Sequence, residues 1–183
     1  MTIVAAYSDG STICLGSDSC GISSGTKTEF GAKIIKKGNY YIGFADSYRV
    51  ADILSESKTL PKTINKLQDI KDLRDKIRAE LICKMGASPA DSEAESISHP
   101  LSIIVISILG IHEIQSDYAI LKAKDNFTSI GAGRDIALGA LATHNLYISL
   151  AKDAVRESIK TTIKYSTDCG GRIHLVTINL EGK

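Results

Sequence analysis

Thr2-Ile3-Val4-Ala5-Ala6-Tyr7-Ser8-Asp9-Gly10-Ser11-Thr12-Ile13-Cys14-Leu15-Gly16-Ser17-Asp18 reads as a β-hairpin. An apolar, β-prone run reaches Tyr7, Asp9-Gly10 is a turn signal, and Thr12–Leu15 resumes the strand. The chain therefore runs out, turns and returns, which sets Asp18 beside Thr2. Downstream, the polar stretch from Asp18 to Gly31 reads as a loop, Lys33–Lys37 as a short strand, and Gly38-Asn39 as a turn into Tyr40–Ala45. Four strands on tight turns make an antiparallel meander, with Ser47 placed to cap a helix.

The middle of the chain is helical. From Ile64 the apolar residues Leu67, Ile70, Leu73, Ile77 and Leu81 recur at three- and four-residue steps, while Lys71, Asp72, Arg74, Asp75 and Lys76 face water. Gly86 to Pro100 reads as a loop. Leu101–Leu109 and Tyr118–Ala123 read as a strand pair joined near Gly110, with a further short strand at Phe127–Ile130. Two helices follow, Arg134–Leu146 and Leu150–Tyr165, the second with Ala151, Ala154, Val155, Ser158, Ile159, Thr162 and Ile163 on one face. Gly170-Gly171 stops it, and Ile173–Ile178 alternates as a last strand. Strands and helices come in blocks without βαβ alternation, which predicts α+β layers.

Composition narrows the function classes. The 183 residues carry 22 Lys+Arg against 21 Asp+Glu, a formal charge of +1, with 43% hydrophobic and 23% charged residues. That is ordinary globular composition for one domain over 1–183. Near-neutrality gives no electrostatic case for nucleic-acid or membrane-surface binding. The longest apolar stretch, 101–109, is far short of a membrane span, and no basic leader precedes the first strand. Cys14, Cys20, Cys83 and Cys169 show no metal-knuckle spacing and are expected as buried thiols in a reducing compartment, the cytoplasm. No metal site is expected.

Two motif matches dissolve on inspection. Gly21-Ile22-Ser23-Ser24-Gly25 fits G-x-S-x-G, but a nucleophile elbow needs a helix directly after its serine, and residues 26–31 make a poor helix start. Gly131-Ala132-Gly133 precedes a helix, yet the next glycine is Gly139, so the dinucleotide spacing fails and close strand–helix packing is the better account. His99, His112, His144 and His174 are scattered and form no ligand pair.

The informative constellation is N-terminal. Thr2 follows Met1 directly, and a small second residue permits removal of the initiator methionine. That would leave a threonine with a hydroxyl nucleophile and a free α-amine, whose reference pKa of about 7.7–8.0 lies far below lysine's ~10.4. Threonine activated by its own amine is an established form of covalent catalysis. Lys33 can place a positive charge near the hydroxyl, and Asp18 can hold that lysine. Gly43, inside a strand, marks close backbone approach and could aim an amide at a developing oxyanion.

These residues resemble the proteasome β-type subunits and HslV-type peptidases, which are N-terminal nucleophile hydrolases. Thr2-Ile3-Val4 resembles the mature N-terminus, Gly16-Ser17-Asp18-Ser19 the aspartate turn, and Lys33-Ile34-Ile35 the strand opening with the active-site lysine. Ile42-Gly43-Phe44-Ala45 resembles the oxyanion segment, Ser129-Ile130-Gly131-Ala132-Gly133 the glycine-serine-glycine helix start, and Thr167-Asp168-Cys169-Gly170-Gly171 the closing serine-glycine-glycine segment. The resemblance spans nearly the whole chain. It implies a four-layer αββα sandwich and amide hydrolysis through an acyl-enzyme on Thr2, with Asp18 and Lys33 catalytic and the Gly43 amide as oxyanion donor. It implies supporting roles for Ser129, Ser166, Asp168 and Cys169, and a substrate pocket at Ile35, Tyr41 and Ala45 that favours small side chains. It further implies stacked homo-oligomeric rings of six or seven subunits, an ATP-dependent unfoldase partner, peptide or unfolded-protein substrates, and no required cofactor, a structural monovalent or divalent cation being left open.

The chain also departs from that pattern. Ala132 stands where the family has serine between the glycines, Ser166 where it has its later aspartate, with Asp168 two positions away, and Cys169 where it has serine before Gly-Gly. Asp46 replaces the second glycine of the oxyanion segment. A second alignment places Met1 at the nucleophile position. The alternative reading is accordingly a catalytically silent ring subunit that serves as a scaffold or binding surface.

Overall fold

The computed structural model of the chain describes residues 2–23, 26–85, 101–147 and 149–180. The hairpin forms as β1 (Val4–Ser8) and β2 (Thr12–Ser17), paired antiparallel with Val4 opposite Ser17. Strands β10 (Phe127–Ile130) and β11 (His174–Asn179) flank it, giving a four-stranded sheet in the order β10-β1-β2-β11. A second sheet joins β5 (Ile34–Lys37), β6 (Tyr40–Asp46), β7 (Leu101–Ser107), β8 (Gly110–Ile114) and β9 (Ile120–Lys122) in chain order. Every pairing in both sheets is antiparallel.

The described helices are α1 (Tyr48–Glu56), α2 (Leu67–Met85), α3 (Arg134–Leu146) and α4 (Ala151–Tyr165). Ser47 caps α1, its hydroxyl accepting from Val50 N at 3.4 Å. The apolar face of α2 is buried at Ile70, Leu73, Ile77 and Leu81, whereas Leu67 at its first position is exposed. Leu150, at the N-cap of α4, offers no side-chain acceptor. Asp9, 142 residues earlier at the hairpin turn, supplies one, its Oδ2 accepting from Ala151 N at 2.8 Å. A carboxylate there also suits the positive end of the helix dipole.

Three apolar clusters order the packing. One lies between α1, α2 and one face of the five-stranded sheet, including Val50, Leu54, Leu73, Ile77, Ile103 and Val105. Another lies between the two sheets, with Val4, Ala6, Ile13 and Leu15 meeting Ala45, Ile104, Ile106 and Ile111. The last lies between the four-stranded sheet and α3 and α4, with Ile3, Ala5 and Tyr7 meeting Ala137, Leu141, Val155 and Ile159. Alternate residues of β1 thus enter different clusters, which explains why the strand reads as an unbroken apolar run. Each fully buried aliphatic side chain contributes roughly 1.5–3 kcal/mol.

Two segments differ from the sequence expectation. The stretch read as a loop after Asp18 contains a separate hairpin, β3 (Cys20–Ser23) and β4 (Thr26–Glu29), with Cys20 opposite Glu29. All four β4 side chains are exposed, so no apolar alternation announces the strand. The run expected as one strand to Leu109 instead ends at Ser107 and folds back at Gly110 (φ 110°) into β8. Ile108 and Leu109 carry that turn without a polar break. Cys83 is exposed on α2, unlike the other three cysteines. His99 and the expected loop from Gly86 to Pro100 lie outside the described residues.

Candidate active site

The return of β2 delivers Asp18 to the start of β1, and Asp18 N donates to Ile3 O at 3.2 Å. The Asp18 carboxylate, fully buried, gathers four donors. Its Oδ1 accepts from Thr2 Oγ1 at 3.2 Å, from Ile3 N at 3.2 Å and from Lys33 Nζ at 2.5 Å. Its Oδ2 accepts from Gly170 N at 3.0 Å. Lys33, only 2% exposed, also donates through Nζ to Cys20 O, and its backbone N donates to Ser17 Oγ at 3.1 Å. A buried ammonium with a carboxylate and a carbonyl around it is a compensated charge rather than a stranded one. The structure therefore brings Thr2, Asp18 and Lys33 into one buried cluster. Thr2 itself is 4% exposed in the isolated chain. Met1, whose removal the sequence reading requires, lies outside the described residues.

The glycines of the 129–133 segment make room for this strand end. Gly131 sits at φ 95°, and a Cβ there would fall 2.3 Å from Thr2 O. Neither the backbone angle nor the space admits a side chain. Gly133 N donates to Thr2 O at 3.3 Å, so the start of α3 holds the threonine from one side while Asp18 holds it from the other. Ser129 is buried and its hydroxyl donates to Val4 O at 3.2 Å, bracing β1 two residues beyond Thr2.

Two expectations need correction. Gly43 does mark close approach, since a Cβ there would lie 2.6 Å from Val4 Cγ1. Its amide, however, points away from the cluster. Phe44 N donates to Lys33 O, so the alternation of an antiparallel ladder turns Gly43 N–H towards β7, where Ile104 stands opposite. The next N–H on the Lys33 side is that of Asp46, past the end of β5. Secondly, Ile35 does not line one pocket with Tyr41 and Ala45. Ile35 packs on the cluster beneath α1 and α2, whereas Tyr41 and Ala45 face between the sheets. Cys169 packs into the cluster beneath α3 and α4, where a Cβ on Gly133 would come within 2.9 Å of its sulfur. Burial pushes its thiol up, against the lowering effect of a hydrogen bond with Ser166. Ser166 Oγ also accepts from Asp168 N at 3.1 Å, so this pair shapes the loop after α4.

The sequence reading missed an aromatic group beside the cluster. Phe30 and Tyr48 meet tilted at 46° with 5.2 Å between centroids, Phe44 meets Tyr48 edge-on at 6.1 Å, and the Phe30 ring covers Gly21. Burial, then the nearby Asp18 charge and Cys20, push the Tyr48 phenol up. Phe30 and Tyr48 are both exposed and come from segments read as a loop and a helix start, which gave no sign that they meet. The G-x-S-x-G match falls at the β3–β4 hairpin, with Ser24 and Gly25 outside the described residues, and no helix follows it. Among the described residues no three His, Cys, Asp or Glu side chains gather to hold a metal ion, and no helix is long and apolar enough to cross a membrane.

No protein-family model and no curated protein matches the sequence. The fold does match solved structures. Thiobacillus denitrificans BPH superposes with a TM-score of 0.83 at 17% identity, over 99% of this chain and 100% of that one. The same protein in complex with epoxomicin gives 0.82 at 17% identity, over 98% of this chain and 100% of that one. Eukaryotic HslV from Trypanosoma brucei gives 0.69 at 19% identity, over 97% of this chain and 99% of that one. The chain thus has an α+β fold like that of BPH and HslV.

Proposed function

We propose that the chain is a threonine-type peptidase subunit of a proteasome-like ring, folded as the αββα sandwich of N-terminal nucleophile hydrolases. The observation that carries this reading is the buried Asp18 carboxylate holding both the Thr2 hydroxyl and the Lys33 ammonium. Once Met1 is removed, the Thr2 α-amine takes the Oγ proton as Oγ bonds to the scissile carbonyl carbon. A tetrahedral oxyanion forms; its collapse breaks the C–N bond, the amine's proton leaves with the departing amino group, and an ester on Thr2 remains. Water activated by the same amine then hydrolyses the ester. Lys33 supplies positive charge beside the developing alkoxide, and Asp18 fixes both partners. We assign the oxyanion donor to the Asp46 amide in place of Gly43, because Asp46 N–H is the one that faces the Lys33 side beyond β5.

The same reading carries homo-oligomeric stacking in six- or seven-membered rings, an ATP-dependent unfoldase and unfolded-protein substrates. BPH in complex with epoxomicin makes that compound the natural probe. Intact-mass measurement is expected to find the chain without Met1, gaining one epoxomicin per subunit, with Thr2→Ala gaining none and losing peptide turnover. Turnover that survives in Thr2→Ala would remove the nucleophile.

A second reading, a silent ring subunit, is favoured by Cys169, which offers the apolar cluster a thiol where the family presents a hydroxyl, and by Ala132. Rings that form normally yet never acylate would select it.

A further inference from the structure

Asp18 Oδ2 is held by a single peptide group whose other end is also bonded. Gly170 N donates to Asp18 at 3.0 Å, and the carbonyl of the same peptide, Cys169 O, accepts from Lys27 Nζ at 3.0 Å. No cis peptide bond occurs among the described residues, so this C=O and N–H point in opposite directions. An ammonium therefore sits at the negative end of the peptide dipole and a carboxylate at its positive end. Hydrogen bonds in series polarise one another, by about 10–30% per bond. The β3–β4 hairpin that carries Lys27 grips the same segment through Cys20 N to Gly170 O at 3.1 Å, and Ser19 just before it accepts from Arg172 N at 2.7 Å.

We propose that Lys27 is a positioning residue for Asp18, acting through the Cys169–Gly170 peptide on the carboxylate that holds Thr2 and Lys33. Its ammonium bonds the Cys169 carbonyl and reaches Asp18 only through that peptide. Without it the peptide loses its charged anchor, Gly170 N–H donates more weakly, and Oδ2 is free to swing the carboxylate off the Thr2 hydroxyl. The catalytic consequence rests on the threonine-peptidase reading above; the structural link from Lys27 to Gly170 does not.

The test uses the full chain with Lys27→Met, which keeps the stem's length and removes the charge, and Lys27→Arg, which restores a donor. Native hydrogen exchange followed by mass spectrometry reports the Gly170 amide, and epoxomicin inactivation kinetics report the nucleophile. Lys27→Met is expected to speed exchange in the peptide containing Gly170 about fivefold and to lower the maximal inactivation rate by a similar factor, with the inhibitor's KI unchanged. Lys27→Arg is expected to restore both. Unchanged exchange at Gly170 in Lys27→Met overturns the proposal, as does a loss spread over KI and rate alike that arginine does not rescue. If wild-type protein never acylates while Gly170 exchange still depends on Lys27, the peptidase reading falls and the positioning link stands. If wild type acylates and Lys27→Met matches it in both readouts, the reverse holds.

Discussion

Two aspartates bracket β2, and each accepts four hydrogen bonds, yet they do different jobs. Asp9, at the turn, takes Ser11 N at 3.0 Å, Ser11 Oγ at 2.9 Å, Thr12 N at 2.7 Å and Ala151 N at 2.8 Å. Asp18, at the other end, takes Ile3 N and Gly170 N but also the Thr2 hydroxyl and the Lys33 ammonium. Asp9 draws three of its donors from backbone amides and the fourth from a serine hydroxyl of its own turn, so it staples a turn to a helix. Asp18 spends half its capacity on a nucleophile-type hydroxyl and a titratable amine drawn from two separate segments. Equal counts of hydrogen bonds thus conceal different donors, a turn and a helix start at Asp9, a hydroxyl and an ammonium at Asp18.

Substitution should separate the two. Asp18→Ala leaves Lys33 buried and unpaired and is expected to cost about 3–5 kcal/mol in urea unfolding, along with all peptide turnover. A loss as small as that of an exposed aspartate would mean that the cluster is not closed. Gly131→Ala is expected to cost roughly 1–3 kcal/mol from backbone strain and to slow acylation by displacing Thr2, read by unfolding and epoxomicin labelling. Asp9→Ala removes the α4 cap and is expected to cost about 1–2 kcal/mol with the acylation rate unchanged. Should it abolish acylation while the protein stays folded, the division of labour along β2 fails.

The smallest effect is one of pH. Burial pushes the Asp9 carboxyl up, but hydrogen bonds from Ala151 N, Thr12 N and Ser11 outweigh it, so it titrates below its ordinary 3.8. A carboxyl lowered by folding stabilises the fold above its unfolded value and stops doing so as pH falls through the folded one. Urea midpoints at pH 7 and pH 3 should accordingly fall further apart in wild type than in Asp9→Asn.

Legibility followed the range of the interaction. The β1–β2 hairpin, α3 and the buried face of α4 were readable because period and turn chemistry are local. Thr2, Asp18 and Lys33 were readable because one hairpin and one short strand bring them together. The β3–β4 hairpin was not, since its exposed Thr26–Glu29 strand carries no apolar pattern. Gly43 was half legible: its missing side chain signals crowding, but the direction of its amide depends on which neighbour Phe44 pairs with. The resemblance implies one pocket for Ile35, Tyr41 and Ala45, but strand alternation sends Ile35 to the opposite face from the other two. Asp9 on Ala151 and Lys27 on Cys169 each span 142 residues, and nothing in either sequence neighbourhood announces the partner.

The Gly170 bond to Asp18 joins residues 152 apart, and that separation is also a delay. A ribosome adding about 5–20 residues per second makes Asp18 on the order of ten seconds or more before Gly170 exists. Throughout that interval the carboxylate lacks its fourth donor, and β2 lacks its outer neighbour β11. A nascent chain therefore carries its hydroxyl and its lysine early, and Oδ2 of Asp18 gains its donor only when synthesis is nearly over. Of the four bonds to Asp18, the one from Gly170 is the last that synthesis makes available.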